Sequence, residues 1–438
     1  MATIRVSNVE AKADAGSPTI DERVTFKRST GENGVVIDTK QVGITSVGIN
    51  TDNPQTELHV VGDITLSGSL SSPGNFSLSS SNFQVNDINY PVVGPLSNRN
   101  MVDNGAMVIA QRGTSLTSLA NTPEFLIDRW AYRRAGAWAG NQNFDMTQES
   151  SGAPDGFKYF LRLQESGIHD APGADTYCAF DTRLEGLNVS QAAFGTSAAK
   201  DITLSFYARG SVTGTYCVAL YNDLADQVYI AEYSLTTNWV RYEVTIPART
   251  VGTWATDNTT GFQILFTIAA DSDGIYSGSA GWNTSNVRHT ANQSEAFAST
   301  ENATFDLTGV QLELGSVATP FEHRNYTDYL LRCLRYYIDT RIGKIMAGNT
   351  IGPAISNGRV GTSAKFPVSM RVDPDVQIYA GGTDTLGATN LYNNSSVDVG
   401  SNFVVQLPNK NGFFYTTGGS GITVGSYYQY RYSADAEL

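Results

Sequence analysis

Between Thr304 and Tyr337 the spacing of apolar residues changes from two to four, and this change limits the architectures open to the chain. Val310, Leu312 and Leu314 alternate with Gln311 and Glu313, a period of two that fits a strand burying one face. Gly315 and Pro320 end that strand. Beyond them Leu330, Leu334 and Ile338 recur at four-residue spacing, with Thr327 placed as N-cap and Asp328 in the first turn, which predicts a short amphipathic helix. A single helix of this length cannot bury its apolar stripe alone in water. It must therefore lie against the preceding sheet, the following domain or a copy of itself.

The composition points to an all-β protein. Of 438 residues only 16% are charged, while Gly, Ser, Thr and Asn are plentiful and the strand-favouring Val, Ile, Tyr and Phe are common. The length allows roughly two to four domains. With 42 Gly but only 14 Pro, and 41% hydrophobic residues, the chain can build packed cores and does not read as a disordered linker. The net charge of −13 disfavours nucleic acid and anionic membranes as partners, because phosphate binding needs a basic face that releases counterions. No apolar run reaches the roughly 18 residues of a membrane-spanning helix. The opening MATIRVSNVEAKADAG lacks the apolar core of a signal peptide, so the expectation is synthesis in a cytoplasm, no membrane insertion and export by no standard signal.

Cys178, Cys217 and Cys333 give an odd count at wide spacing and read as small buried apolar groups, not as a disulfide framework or zinc knuckle. His59, His169, His289 and His323 show no ligand spacing, so neither a metal nor a cofactor is expected. Asp271-Ser272-Asp273-Gly274 begins like a calcium loop, but no Glu stands at the loop's twelfth position, and a hairpin turn is the expectation there.

Residues 1–95 hold short apolar runs such as Val35-Val36-Ile37, Val42-Gly43-Ile44, Leu58-His59-Val60-Val61, Ile64-Thr65-Leu66 and Phe83-Gln84-Val85, separated by Gly, Ser and Asn. None is long enough to close a core within one chain. Three chains wrapped together would each supply a third of a thin core, with Leu58, Val60, Ile64 and Leu66 pointing inward. The charges crowded between Glu10 and Arg28 mark either a docking end or a solvated tip. From Asn100 onward, longer strand-like runs recur with turn residues between them, as a two-sheet sandwich requires. The chain is thus expected to comprise a trimeric β-rich shaft at 1–95, a jelly-roll sandwich at 96–324, a connector helix at 325–340 and a small β-sandwich lobe at 341–438. In the last strand Tyr428, Tyr430 and Tyr432 share one face.

Several phrases carry a resemblance. VQLELGSVATPFEHRNYTDYLLRCLRYY resembles the closing strand and connector helix of the carbohydrate-binding-module-like jelly rolls of bacteriophage tail fibres, with their "QLE-G-ATPFE-R" phrase and a helix ending in "C-RYY". NGAMVIAQRGTS followed by Ile127-Asp128-Arg129-Trp130 is similar to the opening of the same family, with Ala110 where that pattern has Trp. VGINTDNPQTELHVVGDITLSGSL, from Val47 to Leu70, looks like a shaft phrase of phage fibres and needles. In many relatives that phrase precedes a self-cleaving chaperone, and nothing in the tail of this chain resembles one. Together the resemblances imply a receptor-binding fibre of a virion, a homotrimer attached to the tail or baseplate through its N-terminus and adsorbing to host-surface polysaccharide or lipopolysaccharide. The alternatives are a head fibre, decoration or baseplate protein whose jelly roll makes protein–protein contacts, and a glycan-cleaving depolymerase.

Sugar recognition needs flat apolar faces for ring C–H surfaces, with amides and carboxylates for the hydroxyls. Trp138, Trp254 and Trp282 sit among small and polar residues and are the loop candidates, whereas Trp130 and Trp239 fall inside strand phrases and read as core or rim. The face of Tyr428, Tyr430 and Tyr432 fits inter-sheet packing, a subunit interface or a distal glycan platform. Hydrolysis would need two carboxylates flanking the bond, and Glu185, Glu232, Glu243 and Glu313 are the strand carboxylates to examine. With no Gly-x-Ser-x-Gly elbow, no metal-binding His pair and no long β-helix repeat, no catalytic residue is assigned and a binding protein is expected.

Overall fold

A computed structural model describes residues 97–438, apart from short segments at 120–122, 137, 139–142, 168–169, 342, 357–358, 381–390, 393–397, 400–401, 419–421 and 423, together with six short strands between residues 23 and 90. The chain divides into two compact units, Met1–Ser79 and Ser80–Leu438. In the first, Arg23–Lys27, Asn33–Asp38, Ser46–Ile49 and Leu58–Val60 form one sheet in chain order. The first three strands are antiparallel; the last pairs in parallel with its neighbour, Val47 opposite Leu58 and Ile49 opposite Val60. Leu58 and Val60, two of the residues expected in an inter-chain core, therefore lie on a strand. Ile64 and Leu66 lie outside the described residues, as does the run Val42-Gly43-Ile44.

The second unit opens on the hairpin Phe83–Val85 and Ile88–Tyr90 and continues into a β-sandwich. One sheet of the sandwich orders its strands Val240–Ile246, Ile202–Gly210, Thr304–Leu314, Phe160–Glu165, Phe144–Glu149 and Ser115–Leu116. The other runs Gly281–Asn283, Val228–Leu235, Gly214–Tyr221, Thr260–Ala270, Tyr177–Glu185, Ala131–Ala135 and Glu124–Phe125. Alternation puts Leu161 and Leu163, Leu204 and Phe206, and Phe305 and Leu307 into the space between the sheets. Aromatic rings tie the two layers there, with Phe206 and Phe266 4.9 Å apart and Tyr216 and Phe305 5.9 Å apart. Trp130 and the thiols of Cys178, Cys217 and Cys333 are buried.

The closing strand Thr304–Leu314 differs from the expectation of one buried face, because its polar side is buried too. It sits in the middle of its sheet, and the chain returns over its outer face. The Glu313 carboxylate accepts the Thr319 N–H at 2.9 Å and the Thr319 hydroxyl at 2.7 Å. Gln311 accepts the Glu322 N–H at 2.8 Å and donates to Glu313 at 2.8 Å. Alternation of polar and apolar residues reads identically whether the polar face meets water or a returning segment that satisfies it. Further along, register places Asp306 between Arg162 and Arg209 on its two neighbouring strands, at 2.7 Å and 2.8 Å, a cross-strand ion triad.

The predicted helix forms over Tyr326–Leu334, but its N-cap is Asn325 and not Thr327: the Asn325 side chain accepts the Asp328 N–H. Both residue types cap well, and the reach to Asp328 selects the earlier one. The helix ends sooner than the four-residue spacing implied. Ile338 lies on the strand Tyr337–Asp339, which joins the C-terminal sheet by pairing with Tyr427–Asp435. Leu334 and Ile338 enter the core of the C-terminal lobe, and Leu330 packs, partly buried, against it. The opposite helix face sets Tyr329 and Cys333 against Ala106 and Ile109 of the sandwich. One helix thus serves two cores.

The C-terminal lobe is organised on Tyr427–Asp435, which pairs with Tyr337–Asp339, Thr350–Ser356, Asp375–Ala380 and Leu391–Tyr392. Asp398–Val399 adds to Leu391–Tyr392, and Arg359–Lys365, Gly412–Gly418 and Asn402–Asn409 extend from Thr350–Ser356. Phe366, Met370, Phe413 and the three alternating tyrosines of the last strand fill its core.

Candidate functional site

Two of the three loop tryptophans meet at one end of the sandwich. Trp282 lies on the edge strand Gly281–Asn283 opposite Tyr229, with ring centroids 5.3 Å apart. Trp254 comes from the loop after Val240–Ile246 and stands 6.2 Å from Trp282, nearly perpendicular to it. Phe194, from the turn that follows a short helical segment, meets Trp254 edge-on at 5.1 Å and Trp282 at 6.1 Å, and Phe262 closes the group behind them.

The indole N–H groups are already satisfied, that of Trp254 by the Val251 carbonyl at 3.0 Å and that of Trp282 by the Pro247 carbonyl at 3.2 Å. What this end can offer a ligand is ring surface. Trp254 is buried and forms the wall, while Trp282 and Tyr229 are half-buried. The Arg249 guanidinium lies 5.1 Å over the Trp282 ring and donates through Nε to Gln227 at 2.8 Å.

Two loops frame the aromatics. Asn222 donates to the Thr253 carbonyl at 3.0 Å and accepts the N–H groups of Asp226 and Gln227, knotting one loop to the other. Gly252, at φ +90°, is forced by this approach, since a Cβ there would lie 2.3 Å from Gln227 Cγ. Leu224 and Val251, on the tips of these loops, are 67% and 52% exposed. The result is an apolar rim beside a half-open aromatic wall with an arginine and an amide at its edge. Such a surface suits the C–H face of a sugar ring with hydroxyls at its perimeter.

Trp138 is not part of this group. Its indole donates to the Ala135 carbonyl at 2.9 Å and its ring packs edge-on against Phe144 at 5.5 Å. Tyr428, Tyr430 and Tyr432 do share a face, but that face is turned into the lobe's core, which corrects the outward platform considered above. The physical reason is the central place of their strand, covered on that side by Phe366, Met370 and Phe413. Trp239 sits on the rim at 5.3 Å from Phe160 with Arg209 4.7 Å from its ring, and Trp130 is core, as their strand context suggested. Sequence reasoning missed Phe194, Tyr229 and Arg249. Tyr229 reads as an ordinary strand residue, and only Arg249 and Gly252, close to Trp254, gave a local signal.

Each strand carboxylate is engaged. Glu185 is buried, accepting from Arg335 Nε at 2.8 Å and from the Tyr336 hydroxyl at 2.9 Å, and these bonds hold its carboxyl below the usual range against the effect of burial. Glu232 accepts from Thr290 and Asn292, Glu243 pairs with Arg241, and Glu313 is tied to Thr319.

Gln111, Arg112, Asp128, Arg129, Tyr336 and Tyr337, from the phrases that resemble the jelly-roll family, lie elsewhere, where the sandwich meets the lobe. Gln111 donates to Asp128 and to the Tyr337 carbonyl, both at 2.7 Å. Arg129 pairs with Glu437, donates to the Arg183 carbonyl and stacks 3.6 Å over the Tyr336 ring. Arg112 stacks 3.6 Å over Tyr337 and pairs with Asp435 at 3.1 Å. A polar cleft of about 440 Å³ opens beside them, where Arg112 lies on Tyr337 and Arg341 lies 4.6 Å over Tyr379.

Asp128 gives this junction a pH dependence. Burial pushes its carboxyl up to about 6, against the pull of Arg112 and of hydrogen bonds from Gln111, while Glu437 adds to the rise. The folded protein therefore holds this proton at a pH where the unfolded chain, near ~3.9, has released it. The contribution of Asp128 is most favourable below about 4 and falls as pH rises towards 6. Relative to Asp128→Asn, the wild type should gain about 2 kcal/mol on acidification from pH 7 to pH 4.5. Thermal melts across that range check this, and parallel profiles for the two proteins would refute it.

No family model matches the chain, and no curated protein matches it. Among solved structures it is similar to the enzymatically active domain of bacteriophage CBA120 tailspike protein 4, at 10% identity and a TM-score of 0.27, over 49% of this chain and 21% of that one. It is likewise similar to a family 4 carbohydrate-binding module, at 14% identity and a TM-score of 0.25, over 49% of this chain and 99% of that one. A family 11 carbohydrate-binding module from Clostridium thermocellum, solved with a mixed-linked tetrasaccharide, shows 11% identity and a TM-score of 0.24, covering 48% and 99%.

Proposed function

We propose that the protein is a glycan-binding adhesin, the receptor-binding fibre of a bacteriophage virion, which adsorbs to host-surface polysaccharide or lipopolysaccharide as a homotrimer. The observation that carries the reading is the end of the sandwich where Trp254, Trp282, Tyr229 and Phe194 converge under exposed loop tips. The phrases shared with tail-fibre jelly rolls and shafts support the virion setting. Three weak sites on one fibre would give stable attachment through avidity, with no tight single site. The N-terminal strands would then serve the trimer and its attachment to the tail or baseplate.

A glycan array probed with the full chain tests the reading. Trp282→Ala should lower binding to whichever glycans are retained by roughly 10- to 100-fold with little change in melting temperature, because the ring is half-buried at a sheet edge. Retained glycans insensitive to Trp282→Ala would move the site away from this end. Native mass measurement reads the trimer directly, and a monomer would remove it.

A further inference from the structure

Arg249 stands in the loop between Val240–Ile246 and Thr260–Ala270, with its guanidinium over the Trp282 ring at 5.1 Å. Its main chain is pinned on both sides of the side chain. The Arg249 carbonyl accepts the Gly195 N–H at 2.8 Å, and the preceding Ala248 N–H donates to Asp201 at 2.8 Å. The side chain is fixed at Nε, which donates to Gln227 at 2.8 Å. That acceptor is itself held. Gln227 is 9% exposed, its N–H donates to Asn222 at 3.2 Å, and its stem packs against Gly252 with no room for a side chain there.

What remains of the guanidinium is its far edge. Nη1 and Nη2 make no hydrogen bond among the described residues, and both reach the surface. Arg249 also forms no ion pair among those residues, although the chain has 42 acidic against 29 basic side chains. Other half-exposed arginines behave differently. Arg162, Arg209, Arg241 and Arg335 are 25–30% exposed, and each pairs with an aspartate or a glutamate. Around Arg249 the acids are engaged otherwise, Asp201 by the Ala248 N–H and Asp226 by the Asn222 amide at 2.7 Å.

An arginine held by Nε offers its two Nη groups side by side, and a carboxylate accepts them as two parallel charge-assisted hydrogen bonds. A sugar hydroxyl brings no charge and one oxygen. Because Gln227 and the Trp282 ring hold the guanidinium in place, little side-chain freedom is lost when a ligand arrives. The ring surface beside it suits the C–H face of the same sugar.

We propose that the glycan recognised at the aromatic end is acidic: a polysaccharide with a carboxylated sugar, whose carboxylate sits on Nη1 and Nη2 of Arg249 while its ring lies on the aromatic wall. This rests on the aromatic end being the glycan site and adds the class of sugar that it selects. Diffuse attraction does not supply such binding, because a protein of net charge −13 repels a polyanion.

Biolayer interferometry of the full-length protein on paired polymers tests it. The surfaces carry polygalacturonate, alginate, hyaluronate or polysialate, each beside its methyl ester, which keeps the ring and removes the charge. At least one acid should bind, and its ester should bind at least about tenfold more weakly. Arg249→Ala should bring the acid down to the level of the ester, and Arg249→Lys, which keeps the charge but loses the fork, should fall between. Circular dichroism confirms that the variants are folded. An acid–ester difference that survives Arg249→Ala, or no binding of any acid, would overturn the proposal. Equal binding of acid and ester overturns it too, and leaves the site standing where Trp282→Ala weakens both. A retained glycan indifferent to Trp282→Ala removes the site itself, and the proposal with it.

Discussion

Replacing Arg129 with alanine is expected to release the C-terminal lobe from the sandwich and to split a single thermal transition into two. Arg129 is 2% exposed; across the junction it pairs with Glu437 and stacks on the face of Tyr336, and within the sandwich it is anchored by the bond to the Arg183 carbonyl. Its removal leaves Glu437 buried, with Arg112 at 3.4 Å as the remaining cation. Truncating one partner of a buried pair costs about 3–5 kcal/mol, most of it the penalty of the charge left behind. The lobe's transition should therefore fall by on the order of 10 °C. Arg129→Lys should lie between, because an ammonium cannot both pair with Glu437 and stack on the tyrosine. Arg241→Ala, which breaks the pair with Glu243 and the bond to the Thr319 carbonyl within the sandwich, should cost about 1–2 kcal/mol without dividing the transition and serves as the comparison. Differential scanning calorimetry with limited proteolysis reads both effects, and an undivided transition at the wild-type temperature for Arg129→Ala would refute the junction's role.

The example also shows where the sequence was readable. The closing strand of the sandwich, the helix and the lobe's last strand were visible as apolar periodicity, because period and burial are directly linked. The role of the shared phrases was not. Gln111, Asp128, Arg129 and Tyr336 lie in phrases that resemble tail-fibre jelly rolls, and that resemblance assigned them no role, yet these residues fasten the sandwich to the lobe. The same blindness hid the second buried face of Thr304–Leu314, where Gln311 and Glu313 meet a returning segment instead of water. It also left the tyrosines of the last strand open between core, subunit interface and platform, since alternation fixes which residues share a face and not what covers it. The aromatic end was legible only through its tryptophans. Phe194 and Tyr229 arrive from distant segments, and their convergence is a product of the fold.

Gly105→Ala is expected to disrupt the sandwich more than any loop change, although it adds a single methyl group. Asn104 and Gly105 form the knot that joins the opening of the domain to its closing strand. Buried Asn104 accepts the N–H groups of Val108 and Ile109 and donates to the carbonyls of Ile109 and Asp128. Gly105 accepts the Val310 N–H at 2.9 Å, and a Cβ on it would lie 2.0 Å from the Val310 carbonyl oxygen. The obstacle is backbone in the centre of a sheet, so it cannot swing aside as a flexible side chain would. Relief requires separating the opening segment from Val310, which breaks that bond and strains the neighbouring ones, Asn100 Nδ2 to the Val310 carbonyl at 3.1 Å and Met101 N–H to Leu312 at 2.8 Å. Overpacking and lost buried hydrogen bonds together should cost about 3 kcal/mol or more. Gly348→Ala, where the nearest atom to the added Cβ stands at 3.8 Å, should stay within about 0.5 kcal/mol. Chemical denaturation of the two variants decides the matter. Equal midpoints would mean that the opening segment yields freely, and that the closing strand is held by its neighbouring strands alone.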